Sequence, residues 1–189
     1  MIVEFVAKAK LPTRFGNFDI HAFKEGTKEH VAVVNGKIEN GIAVRVHSKC
    51  LTGDTFTSVR CDCREQLEAA LDHIGKKGGM LIYLDQEGRG IGLSNKIKAY
   101  ELQDRGLDTV EANLELGYEN DLRDYRAAKG ILEYFGLTEI KLMTNNPLKM
   151  EEMGDNGITV IERISIITKP NKTNKKYLDT KKNKMKHML

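Results

Sequence analysis

The chain has 189 residues, 40% of them hydrophobic and 30% charged, with a net charge of +3. That length gives one large domain or two small ones with room for a core, and the composition is ordinary for a globular protein. No apolar run approaches the ~20 residues needed to cross a bilayer, and the opening MIVEFVAKAKLPTRFG lacks the basic-then-apolar layout of a signal peptide, so a membrane span and a secretory leader are not expected.

Short apolar runs separated by turn residues open the chain. Residues 3–6, 18–23, 31–34 and 42–46 predict strands, with turns at Gly16-Asn17, Asn35-Gly36 and Asn40-Gly41, forming a small antiparallel sheet or barrel. Leu67, Ala70, Leu71 and Ile74 recur at helical spacing and predict a helix over 64–77, ended by Gly78-Gly79. MLIYL at 80–84 reads as a buried strand, followed by helices over 91–104 and 124–135; the second places Ala127, Ala128, Ile131, Leu132 and Phe135 on one face. Residues 140–143 and 158–161 predict strands around a short helix at 147–153, whose first turn suits Pro147. The fold class is therefore α/β (α+β): an N-terminal small antiparallel β region followed by a mixed, largely parallel sheet flanked by helices.

Residues 1–168 form one domain in this reading and 169–189 a basic C-terminal tail. The tail holds eight lysines against Asp179 alone, so it carries +7 and the rest of the chain −4. Only Tyr177 offers an aromatic platform there, so a solvated lysine-rich segment is expected rather than a nucleic-acid contact.

All three cysteines, Cys50, Cys61 and Cys63, fall within fourteen residues in RVHSKCLTGDTFTSVRCDC. Three thiolates make a zinc site with one position open, which is the catalytic rather than the structural pattern. Two alternatives stand beside this: buried thiols acting as small hydrophobes, and a closed structural site with His47 as fourth ligand. An odd cysteine number argues against a disulfide framework and favours a reducing, cytoplasmic setting.

Three further segments carry chemistry. DQEGRGIGLSNK at 85–96 follows a strand and opens a helix, so its glycines let a ligand approach the backbone while Arg89 and Lys96 add positive charge. It lacks the G-x4-G-K-[ST] spacing of a Walker A loop. TNNPLK at 144–149 also leads from strand to helix; Thr144, Asn145 and Asn146 either cap that helix or meet a ligand, and Lys149 is in reach of a phosphate. Asp121 and Arg123 alternate in GYENDLRDYR, a pattern that a plain salt bridge also produces, and Tyr100 reads as core or as a phenol donor. Together these suggest metal-assisted hydrolysis of a phosphorylated compound.

Taken in order, AKLPTRFGNF, RVHSKCLTGD, SVRCDCREQLEAAL, QEGRGIGLSNKIKAYELQDRGLDTVEAN, GYENDLRDY, LMTNNPLK and YLDTKKNKMKHML resemble GTP cyclohydrolase II of riboflavin biosynthesis across nearly the whole chain. The resemblance implies a hydrolase that opens the guanine imidazole ring of GTP at C8, releases formate, and separately loses pyrophosphate. It implies one zinc on Cys50, Cys61 and Cys63, magnesium with the triphosphate, and a homodimer. It further implies Asp121 as proton acceptor, Arg123 as nucleophile at the α-phosphate and Tyr100 stabilising developing charge. GTP contacts are implied for Arg45, Val46, His47, Ser48, Lys49, Gln66, Glu87, Gly88, Arg89, Thr109, Thr144 and Lys149. Glu87 has the acceptors to take both N1–H and the 2-amino group of guanine.

The chain departs from the family pattern at three positions: Lys49 where the family has glutamate, Arg64 where it has glycine, and Asp85 where it has arginine. Lys49 is expected to favour hydroxide at the metal or draw in phosphate, Asp85 to weaken phosphate binding, and Arg64 to restore a positive charge. The competing readings are a divergent paralogue that stops at the formamide or uses another nucleotide, and a non-catalytic zinc protein that binds nucleotide or nucleic acid.

Overall fold

Among the described residues, seven strands form one sheet, and the chain order explains where its cleft lies. The computed structural model describes residues 2–118, 122–168, 171–174, 178–179, 182 and 188. Strands β1 (Glu4–Thr13), β2 (Gly16–Glu25) and β3 (Lys28–Asn35) form an antiparallel meander. β4 (Ile42–Ser48), β5 (Gly79–Leu84), β6 (Glu139–Met143) and β7 (Thr159–Ile164) run parallel to one another, and β5 joins β3 antiparallel, giving the order β1-β2-β3-β5-β4-β6-β7. The open mixed sheet matches the expected class. The barrel alternative is not formed, and β4, expected with the antiparallel group, is instead the central parallel strand.

Helix α1 (Cys63–Lys77) covers one face, where Ala70 and Ile74 meet Phe18, Val33 and Leu81. Helices α4 (Arg126–Tyr134) and α5 (Pro147–Asp155) cover the other, where Ala128, Ile131, Leu132 and Met153 pack on Val44, Val46, Ile82 and Leu142. β5 is buried on both sides, which is why MLIYL reads as an unbroken apolar run. α2 (Gly92–Asp104) and α3 (Thr109–Glu115) lie between β5 and α4 in sequence. Sequence periodicity misses α3, although Asp108 and Glu111 form a complete capping box at its start.

The first hairpin turn is Arg14-Phe15, not Gly16-Asn17. Thr13 pairs with Gly16, and the Thr13 hydroxyl donates to the Gly16 carbonyl (3.0 Å) while accepting from the Phe15 N–H (3.0 Å). Gly75 in α1 makes room for this turn: a Cβ there would stand 2.0 Å from the Phe15 carbonyl oxygen.

The path from β4 leaves by α1 toward β5, whereas the path from β6 leaves by α5 toward β7 on the opposite side. This reversal opens a crevice at the carboxyl ends of β4 and β6, the usual place for a ligand in such a sheet.

Candidate active site

The cleft is built from the segments following β4, β5 and β6. Cys50 comes two residues after β4, Cys61 precedes α1 and Cys63 begins it. A π-helical turn at Leu51–Thr55 folds the intervening chain back, so that the three sulfurs lie within 4.8 Å of one another. The Cys50 and Cys61 sulfurs are 3.8 Å apart. Two sulfurs each ~2.3 Å from a tetrahedral zinc stand ~3.8 Å apart, so the trio fits that ion. Gly53 enforces the closeness: a Cβ there would lie 2.9 Å from the Cys61 sulfur and 3.2 Å from that of Cys50. Hydrogen bonds from Cys61 and Cys63 hold the Cys50 thiol well below its ordinary range, and the neighbouring Cys50 pushes Cys61 up to about 11.

His47 does not join the sulfurs, so the closed four-ligand alternative is not what the structure builds. Its Nε2 faces the Asp54 carboxylate at 3.1 Å, and burial lowers its pKa, favouring the neutral ring. Asp54 is the hub of the loop: it also accepts from the Cys50 N–H (2.9 Å) and the Tyr83 hydroxyl (2.8 Å).

The cleft wall contains nearly all the residues anticipated from the sequence. Arg45, His47, Ser48, Lys49, Gln66, Glu87, Gly88 and Arg89 line it, as do Tyr100, Thr109, Arg123, Thr144 and Lys149. Val46 is the exception. Residues alternate across a strand, so Arg45 and His47 face the cleft while Val46 is buried in the core and its carbonyl accepts from Lys149 Nζ (2.8 Å). Asp121 lies outside the described residues, as does most of the lysine-rich tail. Arg60, Gln103 and Asn113 also line the cleft and were not foreseen as substrate contacts; Lys96, read with Arg89 as a positive charge on the glycine-rich turn, lines it as well. Reading the Asp108–Glu111 capping box would have put Asn113 one helical turn from Thr109 on the same face.

Several of these groups are held in place. Arg45 is buried, donating to the Met143 carbonyl (2.9 Å) and to Gln66 (2.6 Å). Glu87 accepts from the Leu51 N–H (2.6 Å), the Gly88 N–H (2.9 Å) and Lys96 Nζ (2.8 Å). Gly88, Arg89 and Gly90 all adopt positive φ, so Glu87 sits at the head of a left-handed loop; Gly90 is required there because a Cβ would meet the Leu122 carbonyl oxygen at 2.8 Å. Burial raises the Tyr100 pKa, so this phenol keeps its proton; its oxygen is 3.2 Å from Thr52 Oγ1. Asn146 caps α5 by accepting from the Leu148 N–H (3.1 Å), as the capping alternative anticipated, and still lines the cleft.

The family model described as GTP cyclohydrolase II matches residues 4–165. This chain belongs to the GTP cyclohydrolase II family. It is 53% identical over its full length to the GTP cyclohydrolase-2 of Campylobacter hominis, covering 97% of that protein. It is 56% identical to that of Azotobacter vinelandii, covering 93%. It is also 52% identical to the riboflavin biosynthesis protein RibBA of Staphylococcus epidermidis, of which it spans 48%. Among solved structures, RibBX of A. baumannii, a two-domain 3,4-dihydroxy-2-butanone 4-phosphate synthase, matches 89% of this chain and 41% of its own with a TM-score of 0.50 at 17% identity, a likeness of fold alone.

The structure reinterprets the three departures from the GTP cyclohydrolase II pattern. Lys49 and Asp85, thirty-six residues apart, form an ion pair with each other at 3.0 Å. The two exchanged charges therefore face one another, and Lys49 still lines the cleft. Arg64 does not supply a cation for the cleft: it pairs with Glu68 one turn along α1 and donates to the Asp54 carbonyl (2.7 Å). It reinforces the loop that carries the cysteines.

Proposed function

We propose that this protein hydrolyses GTP, opening the guanine imidazole ring with release of formate and pyrophosphate to leave 2,5-diamino-6-(5-phospho-ribosylamino)pyrimidin-4(3H)-one, the first step of riboflavin biosynthesis. The observation that carries this reading is the trio of cysteine sulfurs lining the same cleft as Glu87, Arg45, Arg123 and Lys149. Cys50, Cys61 and Cys63 would hold zinc, which supplies Lewis acidity that makes hydroxide available near neutral pH.

The chain's own groups take distinct parts. Glu87 keeps its carboxylate beside the cysteine loop, where it accepts from guanine N1–H and the 2-amino group and fixes the ring's orientation. Tyr100, protonated and next to Thr52, donates to charge developing on the opening ring. Arg45, Arg89, Arg123 and Lys149 provide cationic donors for the triphosphate. Thr109 and Thr144 add hydroxyls at the cleft wall, and Arg123 acts at the α-phosphate with Asp121 as its proton acceptor.

Magnesium accompanies the triphosphate, the enzyme acts as a homodimer in the cytoplasm, and residues 1–168 form the catalytic domain with the tail as an accessory. Among the described residues, no helix is long and apolar enough to cross a membrane. The Lys49–Asp85 pair favours tolerated variation over a changed product, because it cancels the charge changes on which the divergent reading rests.

Two variants test the division of labour. Cys61→Ser should abolish formate release and leave some pyrophosphate release, while Arg123→Ala should block pyrophosphate loss. Normal formate production by Cys61→Ser would sink the zinc assignment.

A further inference from the structure

Lys96 stands out among the charged groups around the sulfurs. It lies on α2 and is only 8% exposed, although lysine is rarely buried without a partner. Its ammonium is 2.8 Å from Glu87 Oε1 and 3.1 Å from the Cys50 sulfur. A salt bridge to Glu87 alone would account for the first contact and not the second. Glu87 in turn accepts from the N–H of Leu51, the residue after Cys50, which closes a ring of contacts around that ligand. Tyr100, one helical turn further on, shares the Lys96 face of α2, and its ring lies 5.7 Å from the ammonium.

We propose that Lys96 is a positioning residue of the metal centre, donating a hydrogen bond to the Cys50 sulfur and compensating the charge of a three-thiolate site while it holds Glu87 against the same loop. This rests on the reading of the cysteine trio as a metal site. A divalent ion on three thiolates retains one formal negative charge and Glu87 adds a second, so the Lys96 ammonium is the counter-charge shared by both, and removing it leaves buried negative charge uncompensated. Hydrogen-bonding partners of metal ligands orient them, and their removal typically lowers metal affinity about 10- to 100-fold. The ring also couples two parts of the site, because the ammonium that steadies Cys50 steadies the carboxylate that reads the base.

The test uses the full-length protein and zinc alone, titrated against a chromogenic chelator at fixed pH, with cobalt(II) substituted to read the thiolate-to-metal charge-transfer band. Lys96→Met should bind zinc about 10- to 100-fold more weakly and move the cobalt band to longer wavelength, as expected when a sulfur loses a hydrogen bond. Lys96→Arg, which keeps the charge, should recover most of the affinity. Glu87→Gln, which leaves the sulfur contact in place, should stay within about threefold of the unmodified protein, below the range expected for a lost ligand partner. Unchanged affinity and an unmoved band in Lys96→Met would overturn the proposal. So would a loss in Glu87→Gln as large as that in Lys96→Met, which would place the effect in the salt bridge, or a Lys96→Arg protein as weak as Lys96→Met. If Lys96→Met does not fold, the arginine and glutamine variants still decide. Failure of the unmodified protein to bind one zinc per chain is a different result, because it removes the metal site itself.

Discussion

Gly53→Ala is the smallest change that reaches the proposed metal centre. Gly53 does not adopt a positive φ, so alanine meets no backbone strain and the whole effect is steric. The added methyl would stand 2.9 Å from the Cys61 sulfur, 3.1 Å from the Cys63 Cβ and 3.2 Å from the Cys50 sulfur. Ordinary contacts between such atoms begin near ~3.5 Å, so the loop must yield on three sides at once. Overpacking of this kind costs about 1–3 kcal/mol. Borne by the zinc-bound state, where the sulfurs cannot spread, it corresponds to roughly 5- to 140-fold weaker zinc binding at 1.4 kcal/mol per tenfold. Chelator competition measures the affinity, and thermal melts with and without zinc show whether the loss appears only when metal is present. Gly154→Ala is the matched control: its methyl would point into open space on α5, with nothing among the described residues packed within 4 Å of it, and alanine there should be neutral or stabilising by up to about 1 kcal/mol. A Gly53→Ala protein that binds zinc as tightly as the unmodified protein would refute the claim that this glycine sets the sulfur spacing.

Three other changes probe the surroundings. Asp54→Ala removes the acceptor shared by the Cys50 N–H, His47 and Tyr83, and should cost about 3 kcal/mol in urea unfolding because those buried groups lose their partner together; a loss under about 0.5 kcal/mol would contradict the hub assignment. Lys49→Glu puts two carboxylates side by side at the cleft and should raise KM for GTP, whereas the Lys49→Glu, Asp85→Lys double variant should return toward the unmodified value; the half-exposed pair contributes only about 0–1 kcal/mol, so melting temperatures should barely move. Truncation after Thr168 should leave a folded protein that still releases formate, since among the described residues both hydrophobic clusters are built from residues up to Ile166; a molten product by near-UV circular dichroism would show that the tail is part of the fold.

The parts of the molecule that were legible in advance are those with strong local signals. Helix α4 announces itself through Ala127, Ala128, Ile131 and Leu132 at helical spacing, and all four are buried. The cysteine trio is legible because its three members are close in sequence as well as in space. The contacts that were not legible join distant segments. The pairing of Lys49 with Asp85 depends on β4 lying parallel beside β5, which the turn signals around 35–41 do not reveal. Arg64 has Glu68 one turn away already in the predicted helix over 64–77, but its donation to the Asp54 carbonyl depends on how the cysteine loop folds back. Lys96 reads as a positive charge beside an anion-binding turn, and its contact with Cys50 is hidden because a helix with weak apolar patterning gives little sign of which face turns inward. Val46 shows the reverse case: a motif match places it at the ligand, whereas strand alternation turns its side chain into the core.

The most direct test of the central claim is one incubation of zinc-loaded protein with GTP and magnesium in which formate, pyrophosphate and the pyrimidine product are quantified together. Formate and pyrophosphate are expected in equal amounts, with a diaminopyrimidinone phosphate of matching yield. Pyrophosphate without formate, or neither product from protein carrying one zinc per chain, would contradict it.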